Sequence, residues 1–224
     1  MNTLETERRE ASSGTAKWLI VFLHGYGSNG AELIRIADLW QSSLPDAAFA
    51  APNGPITVNE PLDAYAWAGR RPPGDPRLGE EIAQTAPQVD SFLDAELNRV
   101  GLGADRLALV GFSQGTVMAL HVGLRRNIAP FAVLGYAGGL IGHEALKEEL
   151  KSRPPVMLLN GELDQVSSFY GMRQSVKALE ELGVTAHGEM LPGLGHELDV
   201  NAMILGGRFL VSTMAYRDKH GTAS

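Results

Sequence analysis

The residues with the clearest chemical potential are Gly111-Phe112-Ser113-Gln114-Gly115. A serine framed by glycines two positions before and two after fits a strained turn in which flanking side chains would collide, so that the hydroxyl stands exposed. A serine hydroxyl is a weak nucleophile and needs a neighbouring base, which in turn needs a group that fixes its tautomer. Both are available downstream. Asn160-Gly161-Glu162-Leu163-Asp164-Gln165-Val166 carries two carboxylates, Asp164 and its competitor Glu162, and Pro192-Gly193-Leu194-Gly195-His196-Glu197-Leu198 delivers an imidazole in a glycine-rich turn. Ser113, His196 and Asp164 are the candidates for nucleophile, base and acid in acyl transfer. The alternative is a glycine-bounded turn whose serine only caps a helix.

Acyl transfer also needs two donors aimed at the developing oxyanion. The backbone N–H groups of Gln114 and of Tyr26, in Leu23-His24-Gly25-Tyr26-Gly27, are the candidates. The same stretch offers a rival, because Gly25-Tyr26-Gly27-Ser28-Asn29-Gly30 is a literal dinucleotide-binding fingerprint. That fingerprint wants an acidic residue at the end of the following strand. Asp46 precedes the strand instead, and Pro52 and Asn53 occupy its end, so no nucleotide cofactor is expected. No histidine pair has metal-ligand spacing, and no metal is expected either. Arg70, Arg71 and Arg77 are read as solvated loop residues, and His24, His121, His143, His187 and His220 as surface or core residues.

These groups must be held by strands and helices. Trp18–Leu23 is a continuous apolar run, the pattern of a strand covered on both faces. A helix capped by Ser28 or Asn29 follows, with Leu33, Ile36, Ala37 and Trp40 on one stripe. Residues 47–51 form a weaker strand, and 52–78 are rich in proline and glycine without a period, a length that suggests function. A helix over 78–100 is kinked or restarted at Pro87. Further strands are expected at 107–110, 131–134, 156–159 and 184–190, and further helices at 115–126, 143–151, 168–182 and 197–216. Alternation of short apolar strands with helices implies an α/β fold, a mainly parallel sheet with helices on both faces. Residues 1–224 read as a single domain, with 1–15 as an edge or poorly ordered N-terminal segment. Ser113, Asp164 and His196 then all follow strand ends, where open α/β sheets gather their ligands.

Composition narrows the classes further. Apolar residues make up 44% and charged residues 20%, enough to bury a core and too apolar for a disordered chain. Lys and Arg number 19 against 26 Asp and Glu, and the net charge of −7 has the wrong sign for a nucleic-acid or anionic-membrane binder. The absence of cysteine excludes disulfides, thiolate metal sites and cysteine nucleophiles. The N-terminus lacks an apolar targeting segment, so the expected address is cytoplasmic. The charge-free stretch 107–124 reads as strand, turn and helix, not as a membrane span, and no stable membrane insertion is expected.

With L-H-G-Y-G, G-F-S-Q-G, G-E-L-D and G-L-G-H-E in place, the chain resembles the carboxylesterase, lysophospholipase and acyl-protein thioesterase family of α/β hydrolases over nearly its whole length. The order Ser113, Asp164, His196 is theirs. The resemblance implies an α/β-hydrolase fold with a small or absent cap and a cofactor-free serine hydrolase. Its substrates would be small-molecule esters of short to medium acyl chains, or thioesters. Lysophospholipids and acylated proteins are alternative substrates, and peptidase or lactonase chemistry would use the same triad. A non-catalytic binding protein would share only the fold. The resemblance also carries the oxyanion donors to Tyr26 and Gln114. The family usually has a smaller apolar residue than Tyr26, and a D-x-V-V-P-like stretch where this chain has Asp164-Gln165-Val166-Ser167-Ser168. The loop that corresponds to residues 56–78 lies over the acyl site in this family. Leu62 and Trp67 are therefore candidate groove residues together with Val166, with Trp67 as a core anchor for the loop equally open. The last helix carries more apolar surface than one face needs, consistent with a monomer or a homodimer.

Overall fold

The computed structural model describes residues 4–58, 63–72 and 75–221. Strands β1 (Thr6–Arg9) and β2 (Trp18–Leu23) precede two short helices, α1 (Gly30–Leu33) and α2 (Arg35–Trp40). Strand β3 (Ala47–Pro52) leads to a hairpin of β4 (Ile56–Val58) and β5 (Ala64–Ala66), then to helix α3 (Arg77–Val100). From there strands and helices alternate: β6 (Leu107–Phe112), α4 (Gln114–Gly123), β7 (Ala132–Tyr136), α5 (His143–Glu149), β8 (Val156–Gly161), α6 (Phe169–Glu181), β9 (Ala186–Leu191) and α7 (Val200–His220).

Seven strands form one sheet in the order β1-β3-β2-β6-β7-β8-β9, parallel throughout except for β1, which runs antiparallel to β3 at the edge. The apolar runs alternate between faces. Leu19, Val21 and Leu23 of β2 pack with Leu109, Ile82, Leu93, Met118 and Leu179 on the side of α3, α4 and α6. Trp18, Ile20 and Phe22 pack with Phe49, Trp40, Leu210 and Met214 on the side of α2 and α7. A strand with apolar residues at every position is stable only when helices cover both of its faces. No helix among the described residues is long and apolar enough to cross a membrane.

Local chemistry adjusts several boundaries. Asn29 caps α1, its side chain accepting from the Glu32 N–H, while the Ser28 hydroxyl donates to the Glu32 carboxylate. Helix α3 runs through Pro87 without restarting, because the flanking turns are held by the buried stripe from Ile82 to Leu97. It ends at Gly101, whose φ of 71° suits glycine and whose N–H returns to Asn98 and Leu97. Helix α7 begins three residues later than its apolar pattern suggests, since Asp199 accepts from the Ala202 N–H at 2.7 Å and sets the cap there. The segment expected to lack a period contains the β4–β5 hairpin, and residues 6–9 form an edge strand.

Candidate active site

Ser113 sits between β6 and α4 with φ 53° and ψ −115°, a conformation an L-residue holds only under constraint. The constraint comes from the backbone, since the Ser113 N–H donates to the Tyr136 carbonyl at 2.8 Å and its carbonyl accepts from Thr116 N–H at 2.9 Å. The two glycines of the motif are sterically required. A Cβ on Gly111 would stand 2.4 Å from the Gly115 carbonyl oxygen, and one on Gly115 would stand 1.9 Å from the Leu23 carbonyl oxygen. Helix α4 therefore starts pressed against the end of β2, which brings the loop bearing Tyr26 beside Ser113.

The His196 Nε2 lies 3.0 Å from the Ser113 Oγ, and its Nδ1 lies 2.8 Å from the Asp164 Oδ2. These contacts span 83 and 32 residues of sequence. They are brought together because β8 and β9 pair up to Gly161 and Leu191, and their loops stay joined beyond the pairing. Glu162 N–H donates to the Leu191 carbonyl and Leu163 N–H to the Leu194 carbonyl, each at 2.9 Å. Gly161 allows this approach, since a Cβ there would lie 2.3 Å from the Leu194 carbonyl oxygen. The Asp164 side chain is fully buried, and its Oδ1 accepts from the N–H groups of Val166 and Ser167 at 2.8 Å each. Three donors thus hold one buried carboxylate, and charge-assisted hydrogen bonds of this kind compensate its desolvation. Glu162, the competing acid, instead accepts from the Gly193 N–H at 3.0 Å and braces the histidine loop from outside.

Ser113 and His196 open onto a cleft of about 950 Å³. Leu78, Val117, Ile141 and Met172, from α3, α4, the β7–α5 loop and α6, give it apolar walls, and Tyr26 and Gln114 border it beside the serine. The backbone N–H groups of Tyr26 and Gln114 enter no hydrogen bond among the described residues, and that of Gln114 is the first of helix α4. Val166 borders the cleft and is more than half exposed. Leu62 lies outside the described residues.

Of the two roles left open for Trp67, the core anchor fits its position and the groove does not. Trp67 is fully buried within the core on the α3 side of the sheet and does not border the cleft. Its indole N–H needs a partner when buried, and it finds the His24 carbonyl at 2.8 Å, which draws the ring inward as an anchor and away from the groove. His24 is buried as well. Its Nδ1 is 2.7 Å from the Gly25 carbonyl and its Nε2 accepts from the Gly54 N–H at 2.9 Å, so the imidazole is neutral, and burial pushes its pKa down to about 4. In the glycine-rich turn at 25–30, the Gly30 N–H donates to the Asn53 side chain at 2.7 Å, just after the end of β3. Arg71 pairs with Glu81, and Arg77 with Asp75.

The sequence reading missed Asn160, buried at the end of β8, whose amide donates to the Ser167 carbonyl and steadies the turn that supplies N–H groups to Asp164. A lone asparagine closing an apolar strand was the available signal. It also missed the cleft walls, because Leu78, Val117 and Met172 carry the same periodic signature as core residues.

A mostly parallel sheet with a serine on a strand–helix turn, hydrogen-bonded through a histidine to a carboxylate on later loops, defines the α/β hydrolases. Within that class the chain belongs to the phospholipase/carboxylesterase family, which it matches over residues 5–213. It is 34% identical to the crystal structure of esterase PE8, with a TM-score of 0.90 over 95% of this chain and 100% of that one. It is 32% identical to acyl-protein thioesterase 1 of Schizosaccharomyces pombe over 126 residues, 54% of this chain and 55% of that protein. Esterase YpfH of Escherichia coli is 25% identical over 195 residues, 84% of this chain and 79% of the enzyme.

Proposed function

We propose that the protein is a serine hydrolase that cleaves carboxylic esters of short to medium acyl chains, or thioesters, through an acyl-enzyme on Ser113. The observation that carries this reading is the continuous hydrogen-bonded chain from the Ser113 Oγ through His196 to the buried Asp164, opening onto an apolar cleft.

In the first half-reaction His196 Nε2 takes the proton of Ser113 as the hydroxyl attacks the acyl carbonyl. The tetrahedral oxyanion is held by the N–H groups of Tyr26 and Gln114. Collapse expels the alcohol or thiol, which leaves with the proton from His196. Water then enters, gives its proton to His196 and attacks the acyl carbon, and the serine departs with that proton to release the acid. Asp164 remains ionised throughout, holding the imidazole with its Nδ1 protonated and stabilising the imidazolium. Of the acyl-contact candidates among the described residues, Val166 borders the cleft.

A second reading, acyl-protein thioesterase or lysophospholipase activity through the same triad, is favoured by the thioesterase relatives and by the apolar walls. The test is hydrolysis of p-nitrophenyl esters from acetate to palmitate, an acyl-thioester and a lysophospholipid, with fluorophosphonate labelling and mass mapping. One adduct on Ser113 that abolishes turnover supports the hydrolase. Folded protein with neither turnover nor adduct refutes it and leaves a binding protein of the same fold.

A further inference from the structure

Gln114 presents two different groups to the site. It borders the cleft with a backbone N–H that enters no hydrogen bond among the described residues, while its side chain is buried and bonded to the segment after β5. The side-chain Oε1 accepts from the N–H groups of Trp67 at 2.8 Å and Ala68 at 3.3 Å, and the Nε2 donates to the Ala68 carbonyl at 2.9 Å. The amide therefore binds this segment as a neighbouring strand would.

That segment holds the loop bearing Tyr26 at both ends. On one side the Trp67 indole donates to the His24 carbonyl at 2.8 Å. On the other, Gly27 N–H donates to the Tyr65 carbonyl and Tyr65 N–H to the Ser28 carbonyl, each at 2.9 Å. The segment is itself fixed to α3, because Thr85 donates to the Trp67 carbonyl at 2.8 Å and Gly69 N–H donates to Glu81 at 2.7 Å. A continuous chain of hydrogen bonds thus runs from the side chain of one proposed oxyanion donor to the loop that presents the other.

We propose that the Gln114 side chain is a positioning residue, which with Trp67 sets the separation of the Tyr26 and Gln114 N–H groups and so the fit of the oxyanion site. This rests on the hydrolase reading and adds to it a side-chain role distinct from the backbone donor. It also accounts for a glutamine directly after the serine. A residue of similar length without hydrogen-bonding groups would leave the Trp67 and Ala68 N–H groups unpaired and free the loop to shift, and a displacement of about 1 Å at a reacting centre costs up to about 100-fold in rate.

The test compares wild type with Gln114→Met and Trp67→Phe, the latter removing the indole N–H while keeping an aromatic ring in the core. Three quantities are read on p-nitrophenyl butyrate: kcat, KM, and the affinity for an alkyl trifluoromethyl ketone, whose adduct with the serine carries the tetrahedral oxyanion. For Gln114→Met we expect kcat to fall about 10- to 100-fold with KM changed by less than about twofold, and ketone affinity to fall by the same factor. Trp67→Phe should show the same pattern with a smaller loss, and it carries the test alone if Gln114→Met does not fold. Unchanged kcat in a folded variant overturns the proposal, as does a loss confined to KM or one the ketone does not follow. Fluorophosphonate labelling of wild-type Ser113 separates the two levels: no adduct removes the hydrolase reading and this proposal with it, whereas a normal adduct with indifferent variants removes only the positioning role.

Discussion

Replacing Asp164 with asparagine changes one atom and should disable the site almost completely. The carboxylate accepts two backbone N–H groups on Oδ1 and the His196 Nδ1 on Oδ2. An asparagine can satisfy the Val166 and Ser167 donors only by placing its carbonyl oxygen where Oδ1 stands, which turns its NH₂ toward His196. The opposite orientation would set that NH₂ against two N–H donors in a fully buried position and cost about 1–3 kcal/mol for each group left unsatisfied. Facing an amide donor, the imidazole must accept at Nδ1 and carry its proton on Nε2, so it cannot take the proton of Ser113. The expected consequence is a fall in kcat of about 10⁴, or roughly 5 kcal/mol of lost transition-state stabilisation at about 1.36 kcal/mol per factor of ten. The assay is steady-state hydrolysis of p-nitrophenyl butyrate, with a melting curve to confirm folding. A loss below about tenfold in a folded Asp164→Asn protein would show that Asp164 does not set the tautomer of His196.

Other consequences follow from the same geometry. Gly115→Ala should destabilise by about 3 kcal/mol or more, because its Cβ would meet the Leu23 backbone at 1.9 Å and no flexible side chain is there to yield; an unchanged denaturant midpoint contradicts this. Trp67→Ala should lower the melting temperature while the chain-length optimum of ester hydrolysis stays put, since the ring lies in the core; a shifted optimum would return Trp67 to the groove. His24 has a folded pKa lowered by burial to about 4 from an ordinary 6.5, so its neutral form contributes stability above pH 6.5 that is lost as the pH falls toward 4. The loss is on the order of 3 kcal/mol across that window, and a His24→Asn protein should lack this part of the pH dependence in urea titrations. Parallel wild-type and variant curves would place the acid sensitivity elsewhere.

Much of the architecture is written locally. Trp18–Leu23 and Leu107–Val110 announce buried parallel strands because unbroken apolar runs of that length have few other stable uses. The serine motif is legible because its glycines relieve crowding at the turn: a Cβ on Gly111 would meet the first residues of the following helix, and one on Gly115 would meet the end of β2. The serine turn, the histidine loop and the α/β layering could therefore be read from short windows of the chain.

Pairings across the sheet could not be read that way. Asp164 and Glu162 stand two residues apart with the same chemistry, and only the joining of the β8 and β9 loops turns one toward His196 and the other toward Gly193. Trp67 in a proline-rich loop reads equally well as groove or anchor until the His24 carbonyl is found within reach of its indole. Leu78, Val117 and Met172 show the periodicity of core residues, and they become cleft walls because α3, α4 and α6 converge beside Ser113. Periodicity states which face of an element is apolar, and a motif states which turn is strained. Neither states which distant backbone will supply the partner, and that is settled by the long-range packing that closes the fold.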